Sequence, residues 1–247
     1  MRIRSFIIAY ALVLAILLFA DRRPGSTPQD HYSHVVDLTD EQSANPLHLA
    51  AVESRTRIIA PGALIPGTWA AGQIPPERLV APLVVIDLNS DLNSDLNSGV
   101  SASGRSPQIT LDDISQWESR HGMIPQGAVI AVRSPGASNT GSANDGSTTS
   151  RNTGSTKTRS TADFPVNRDA AMFLMDARYT IGFAVETPVD FASDRTLARQ
   201  LALHGSYVVE GSARFAALPP TGSLVIVAPA KNKKAGAAPV RILAMVR

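Results

Sequence analysis

Residues 79–88 read L-V-A-P-L-V-V-I-D-L, a nearly continuous apolar run rich in β-branched side chains. A run of this kind reads as a strand buried in the protein interior. Directly after it, Asp-Leu-Asn-Ser occurs three times in succession, from Asp87 to Ser98. A four-residue period corresponds to no repeat architecture, so the tract reads as low-complexity expansion of a surface loop, an insert near residues 87–106. Beyond it, Thr110 to Arg120 has the pattern of a helix. Thr110 caps it, Asp113 holds the capping-box position, and Leu111, Ile114 and Trp117 share a face. Gly127 to Val132 (G-A-V-I-A-V) is a second buried-type strand. From Ser134 to Ala162 the composition collapses to Ser, Thr, Gly and Asn with scattered charge, a second insert that the composition marks as disordered.

The rest of the chain continues in short elements. His34 to Thr39 reads as an opening strand behind a polar linker over residues 21–33. Asn167 caps a helix that runs to Arg178, followed by a strand from Thr180 to Val185. Asp194 caps a third helix that stops at Gly205. Ser206–Val209, Leu224–Val227 and Val240–Val246 complete the strands. Many short strands with about three modest helices indicate one α/β domain over residues 34–247, built on a mixed sheet.

The N-terminus is of another kind. Arg2 and Arg4 precede an unbroken apolar run from Phe6 to Ala20, the layout of a secretory signal. Ala20 suits the last position before a cleavage site, but Leu18 is bulky two residues earlier. The rival reading is an uncleaved anchor over residues 5–20, although as a helix it reaches about 24 Å against a hydrocarbon core of ~30 Å. Residues 1–20 are therefore expected to direct export, to a periplasmic or extracellular location, or to tether the chain to a membrane.

The chain has 23 basic and 21 acidic side chains. With Arg2 and Arg4 in the leader set aside, the remainder is formally neutral, which leaves no basic field for nucleic acid. There is no cysteine. That excludes disulfides, thiolate metal sites and a cysteine nucleophile.

Several blocks occur together in one family. Q-I-P-P-E-R-L-V-A-P-L-V-V-I-D-L (Gln73–Leu88), I-T-L-D-D-I-S-Q-W-E-S-R-H-G-M-I-P-Q-G-A-V-I (Ile109–Ile130) and F-P-V-N-R-D-A-A-M-F-L-M (Phe164–Met175) resemble segments of the cyclase family. So do L-P-P-T-G-S-L-V-I-V-A-P (Leu218–Pro229) and P-V-R-I-L-A-M-V (Pro239–Val246). These are the kynurenine-formamidase-like metal-dependent hydrolases. The resemblance implies a single swivelling β/β/α domain, assembly into oligomers, and one or two divalent metals held by His-x-x-x-His-x-Asp with a general acid/base His four residues on. With A-P-G at Ala60–Gly62 as the anchor, the first His falls on Glu53, the second on Arg57, the Asp on Ile59 and the acid/base His on Ala63. A later His and Glu of the family fall on Ala198 and Glu210. Where members often read D-T-x-S-x-D, this chain reads E-T-P-V-D, Glu186 to Asp190.

A hydrolytic metal needs about three N or O ligands and an open position, so that bound water falls from a pKa of ~15.7 towards ~7. On this register Ile59, Ala63 and Ala198 carry no donor, and Arg57 brings a fixed positive charge. The expectation is a pseudoenzyme with no catalytic residue and no metal cofactor, acting as a binding or assembly protein. It would self-associate or pair with an active paralogue, or take a small carboxylate or amide in the former pocket. The alternative is a zinc- or manganese-dependent amide or ester hydrolase with relocated ligands. The histidines offer little rescue, since His31 and His34 lie in a linker-to-strand segment, His48 stands alone, and His121 and His204 end helices. Asp37, Asp87 and Asp190 each sit beside a strand. If Glu210 remains in the pocket it needs a counter-charge, which Arg57 can supply.

Overall fold

Alternation within the 79–88 run divides the protein into two apolar layers. Ala81, Leu83 and Val85 join one core cluster, whereas Val84, Ile86 and Leu88 join another. The split is the period-2 geometry of a strand with both faces covered. A computed structural model describes residues 32–40, 56–88, 107–134 and 162–247. The leader, Glu53 and the greater part of both inserts lie outside the described residues, as do His31 and His48.

The strands are β1 (His34–Asp37), β2 (Arg57–Ile59), β3 (Val80–Asp87), β4 (Val129–Arg133), β5 (Gly182–Val185), β6 (Tyr207–Glu210), β7 (Ser223–Pro229) and β8 (Ala237–Val246). The helices are α1 (Pro61–Leu64), α2 (Leu111–His121), α3 (Arg168–Ala177) and α4 (Arg195–Leu203). The sheet order is β1-β8-β2-β6-β5-β4-β3-β7, and β7 also pairs with β8, so the sheet closes into a barrel. The mixed α/β architecture expected from the sequence is observed. The closure and the fourth helix, α1, depart from it. Pro61 at the first helical position starts α1, and its four residues are too few to show a periodic pattern.

β3, β4, β5 and β6 run parallel. Parallel neighbours need a crossover, and α2, α3 and α4 supply the three required. Their caps are the residues read from the sequence. Thr110 Oγ1 accepts from the Asp113 N–H while Asp113 Oδ2 accepts from the Thr110 N–H at 2.7 Å. Asn167 Oδ1 accepts from Ala170 N–H at 2.8 Å, and Asp194 Oδ1 from Leu197 N–H at 2.9 Å. Each cap contributes about 1 kcal/mol.

Three local expectations are corrected. Of the three apolar residues on one face of α2, Ile114 and Trp117 are buried and Leu111 is exposed, and Ile109, bridged to Val166, fills the core there. Asp87 belongs to β3 rather than to an insert, because it pairs in register with Arg133, and just past the strand the Leu88 N–H donates to the Arg133 carbonyl. β8 begins at Ala237, three residues before the predicted start, since its first turn of ladder is with β2.

The helical layer is tied at one end by Glu118. Its carboxylate accepts from Arg178 Nε at 2.7 Å and Nη2 at 2.8 Å, and from the Ile124 N–H at 2.9 Å. The guanidinium bond holds the Glu118 carboxyl below the usual carboxylate range. A folded pKa below the unfolded value of about 4.3 contributes stability above that pH, lost as pH falls through the folded pKa. Glu118→Gln is therefore expected to cost about 2 kcal/mol at neutral pH. Urea melts across the acid range check this: the gap to wild type closes as Glu118 protonates.

Candidate functional site

β2 is three residues long and pairs antiparallel with β6, with Arg57 directly opposite Glu210. Ile58 points into the barrel core, so Arg57 and Ile59 face the helical layer. Glu210, one residue beyond Val209 of the barrel core, shares that face, and it is 5 % exposed. A carboxylate this buried needs a counter-charge. Arg57 Nε lies 3.2 Å from Glu210 Oε1, the contact expected from the sequence. The other oxygen, Oε2, accepts from the Val189 N–H at 3.1 Å. Glu210 thereby fastens the E-T-P-V-D segment, whose Asp190 N–H donates in turn to the Ala162 carbonyl. Just before Arg57, buried Thr56 donates Oγ1–H to the Gly211 carbonyl at 2.6 Å and accepts from the Asp40 N–H.

The A-P-G turn follows β2 directly. The Ala60 N–H donates to the Gly236 carbonyl, and the Gly62 N–H to the Trp69 carbonyl, both at 2.8 Å. A Cβ on Gly62 would come within 2.9 Å of that Trp69 oxygen, so the close backbone approach requires glycine. The turn starts α1, which packs against α4. Ala63 is exposed on α1, and Ala198 is buried on α4 beside Leu197 and Leu201 of the helical-layer core. Ile59 joins the same core. The structure thus brings Arg57 and Glu210 into contact, puts Ile59 in the apolar helical layer and buries Ala198 on α4.

This donor set does not fit a divalent metal. Ile59, Ala63 and Ala198 offer no lone pair to a cation, and the Glu210 oxygen that could ligate faces a guanidinium instead. Among the described residues no group of three or more His, Asp or Glu side chains is placed to hold a metal ion.

A second charged cluster, not singled out from the sequence, lies at the C-terminal ends of β3, β4 and β5. Arg133 donates Nε and Nη2 to the two oxygens of Asp87, and Nη1 to the Phe215 carbonyl at 3.2 Å. Glu186 accepts from the Ser134 N–H at 2.9 Å, and burial pushes its carboxyl up. In parallel sheets this is the edge at which ligands bind. Register alone could have found it, because Asp87 and Arg133 are paired residues of adjacent strands. The other acids named from the sequence are engaged locally. Asp37 pairs with Arg241 at 2.9 Å, and Asp190 accepts from the Ala192 N–H. His121 stacks on Trp117, His204 faces Asp176 at 3.5 Å, and His34 lies beside Ser33.

These elements define a family as well as a fold. The model of the family described as "Putative cyclase" matches residues 26–189, and the chain belongs to that family. It is similar to isatin hydrolase A from Ralstonia solanacearum, at 22 % identity and a TM-score of 0.60, over 96 % of this chain and 97 % of that one. It is similar also to isatin hydrolase A from Labrenzia aggregata in a complex with benzyl benzoate, at 23 % identity and a TM-score of 0.59, over 86 % and 93 %. A potential metal-dependent hydrolase with cyclase activity matches at 20 % identity and a TM-score of 0.55, over 87 % and 98 %. No curated protein matches the sequence.

The ion pair makes a testable energetic statement. Breaking a buried pair costs about 3–5 kcal/mol, and less here because the Arg57 side chain is 38 % exposed. Arg57→Met is expected to destabilise the fold by about 1–3 kcal/mol. Adding Glu210→Gln should recover part of that loss, because the stranded charge is gone. Chemical denaturation of the two single variants and the double variant measures the coupling.

Proposed function

We propose that this cyclase-family protein is an exported binding protein that works without the family's hydrolytic metal, and that Arg57 receives a small carboxylate in the former metal pocket. The observation that carries the reading is the Arg57–Glu210 pair. Glu210 takes the Nε edge of the guanidinium, and among the described residues the terminal nitrogens have no further partner. A half-exposed guanidinium edge is a bidentate receptor for a carboxylate. Ile59 and the partly buried Leu64 and Phe191 of the same layer favour an apolar or aromatic body on that ligand. Benzoate should therefore bind and benzamide should bind less well. Self-association, or pairing with a catalytically active paralogue, belongs to the same proposal.

Two measurements test it. The purified protein is expected to carry no stoichiometric zinc or manganese and to leave isatin and N-formylkynurenine unhydrolysed. Bound metal, with turnover abolished by a chelator, would return the protein to the hydrolases. In calorimetric titrations with benzoate, Arg57→Met should weaken binding by about 10- to 100-fold, the worth of a hydrogen bond to a charged group.

A further inference from the structure

The pole of the barrel opposite the Arg57–Glu210 pair carries charge of a different kind. It is formed by the N-terminal ends of β3–β6. Because β7 runs antiparallel to β3, the β7–β8 hairpin also returns at this pole. That hairpin reads K-N-K-K, and Lys231, Lys233 and Lys234 are all exposed. Asn232 Oδ1 accepts from the Lys234 and Ala235 N–H groups, which holds the lysines in a defined turn. The turn is locked to the residues after Trp69. The Gly72 N–H donates to the Asn232 carbonyl and the Ala71 N–H to the Ala235 carbonyl, both at 2.9 Å. A Cβ on Gly72 would lie 2.6 Å from the Asn232 nitrogen, so only glycine allows this approach.

Trp69, two residues before the Ala71 that bonds to this turn, is 38 % exposed. Its ring lies against Gly205 and under the Arg78 guanidinium, 5.5 Å from ring centroid to Cζ. Arg78 Nη2 donates to the Gly205 carbonyl at 3.1 Å, and no carboxylate faces Arg78 among the described residues. Burial lowers its pKa. Leu203 and Val80, exposed by 59 % and 48 %, flank this group at the end of α4 and the start of β3. The carboxylates of the patch are Glu77, which is exposed, and Asp176, which faces His204. Three lysines and Arg78 thus stand against Glu77, around an exposed Trp and two exposed aliphatic side chains.

We propose that this pole is a docking face for an anionic lipid surface. A chain that is neutral outside its leader has gathered at one place cations that no carboxylate meets among the described residues, and has put there the residue types that partition into a bilayer interface. Lysine stems extend along apolar surface with their ammonium groups at headgroup level, and an indole prefers the same depth. A second copy of the chain fits poorly, because a two-fold interface would set the lysines against themselves. The proposal adds a membrane contact within the folded domain, separate from residues 5–20, and does not depend on the carboxylate-binding reading.

The test uses the full chain with phosphatidylcholine vesicles, with and without phosphatidylglycerol. The protein has two tryptophans, and Trp117 is buried with its Nε1–H on the Val85 carbonyl. Quenching by bromine-labelled lipid therefore reports on Trp69, whatever the leader does. The expected result is quenching with phosphatidylglycerol present that disappears in Trp69→Phe and in pure phosphatidylcholine. A Lys231→Glu, Lys233→Glu, Lys234→Glu variant should lose at least about 100-fold in partitioning, at about 1 kcal/mol per lysine. Its thermal melt should match wild type, because the turn is held by Asn232. Absence of quenching, equal quenching in neutral vesicles, or quenching unmoved by the triple substitution would each overturn the proposal. Salt-sensitive capture of an acidic protein at this pole without lipid quenching would overturn it too.

Discussion

The structure depends on one strand serving three partners. β8 pairs with β7 along one edge, and with β2 and then β1 along the other. Without it β7 and β2 would be open edges, each a template for unwanted pairing. Closure also creates the inner apolar cluster, to which β8 contributes Ala238, Val240, Ile242, Ala244 and Val246. These alternate with outward residues along its whole length. That alternation lets a ten-residue strand line the barrel on one face and meet solvent on the other. The placement of β2 follows. A three-residue strand has little stability of its own, and its pairing with both β8 and β6 puts Arg57 opposite Glu210.

That geometry explains why a charged pair can hold at the edge of an apolar layer. A buried carboxylate is tolerated when its charge is met and its lone pairs are filled. Arg57 supplies the charge and the Val189 N–H fills the second oxygen. A guanidinium is planar, monovalent and fixed to the chain, so it satisfies Glu210 without opening a coordination site. Ile59, on the same face of β2 as Arg57, packs into the apolar helical layer. The frame of the fold rests on β8 and on the A-P-G turn, both held by backbone hydrogen bonds.

Local features were legible in the sequence and long-range ones were not. Thr110, Asn167 and Asp194 could be read as caps because a cap is a matter of three or four consecutive residues. The 79–88 run could be read as a buried strand because both its faces are apolar. β2 could not, since R-I-I becomes a strand through partners some 150–180 residues away in the chain. The Asp87–Arg133 pair was hidden for the same reason, and Asp87 also opens the Asp-Leu-Asn-Ser repeat, which masks its membership of β3. The Arg57–Glu210 contact was the exception among long-range features. It could be inferred because the family resemblance set Arg57 and Glu210 at positions of one site, where opposite charges are expected to meet.

The two ends of the parallel strands now differ in how their charges are settled. At the C-terminal ends, Arg133 is paired with Asp87 and bonded to the Phe215 carbonyl, Glu186 is held by Ser134, and Glu210 is held by Arg57 and Val189. At the N-terminal ends, Arg78 rests on carbonyls and an indole, and three lysines project from a rigid turn. In an α/β sheet the C-terminal edge is the expected seat of chemistry. Here that edge has spent most of its charged groups on one another, which leaves the Arg57 edge as its open electrostatic handle. The unsatisfied cations have accumulated at the other pole. Charge that is not consumed within a fold is available for an external partner, and the exposed lysines of the hairpin turn are charge of that kind.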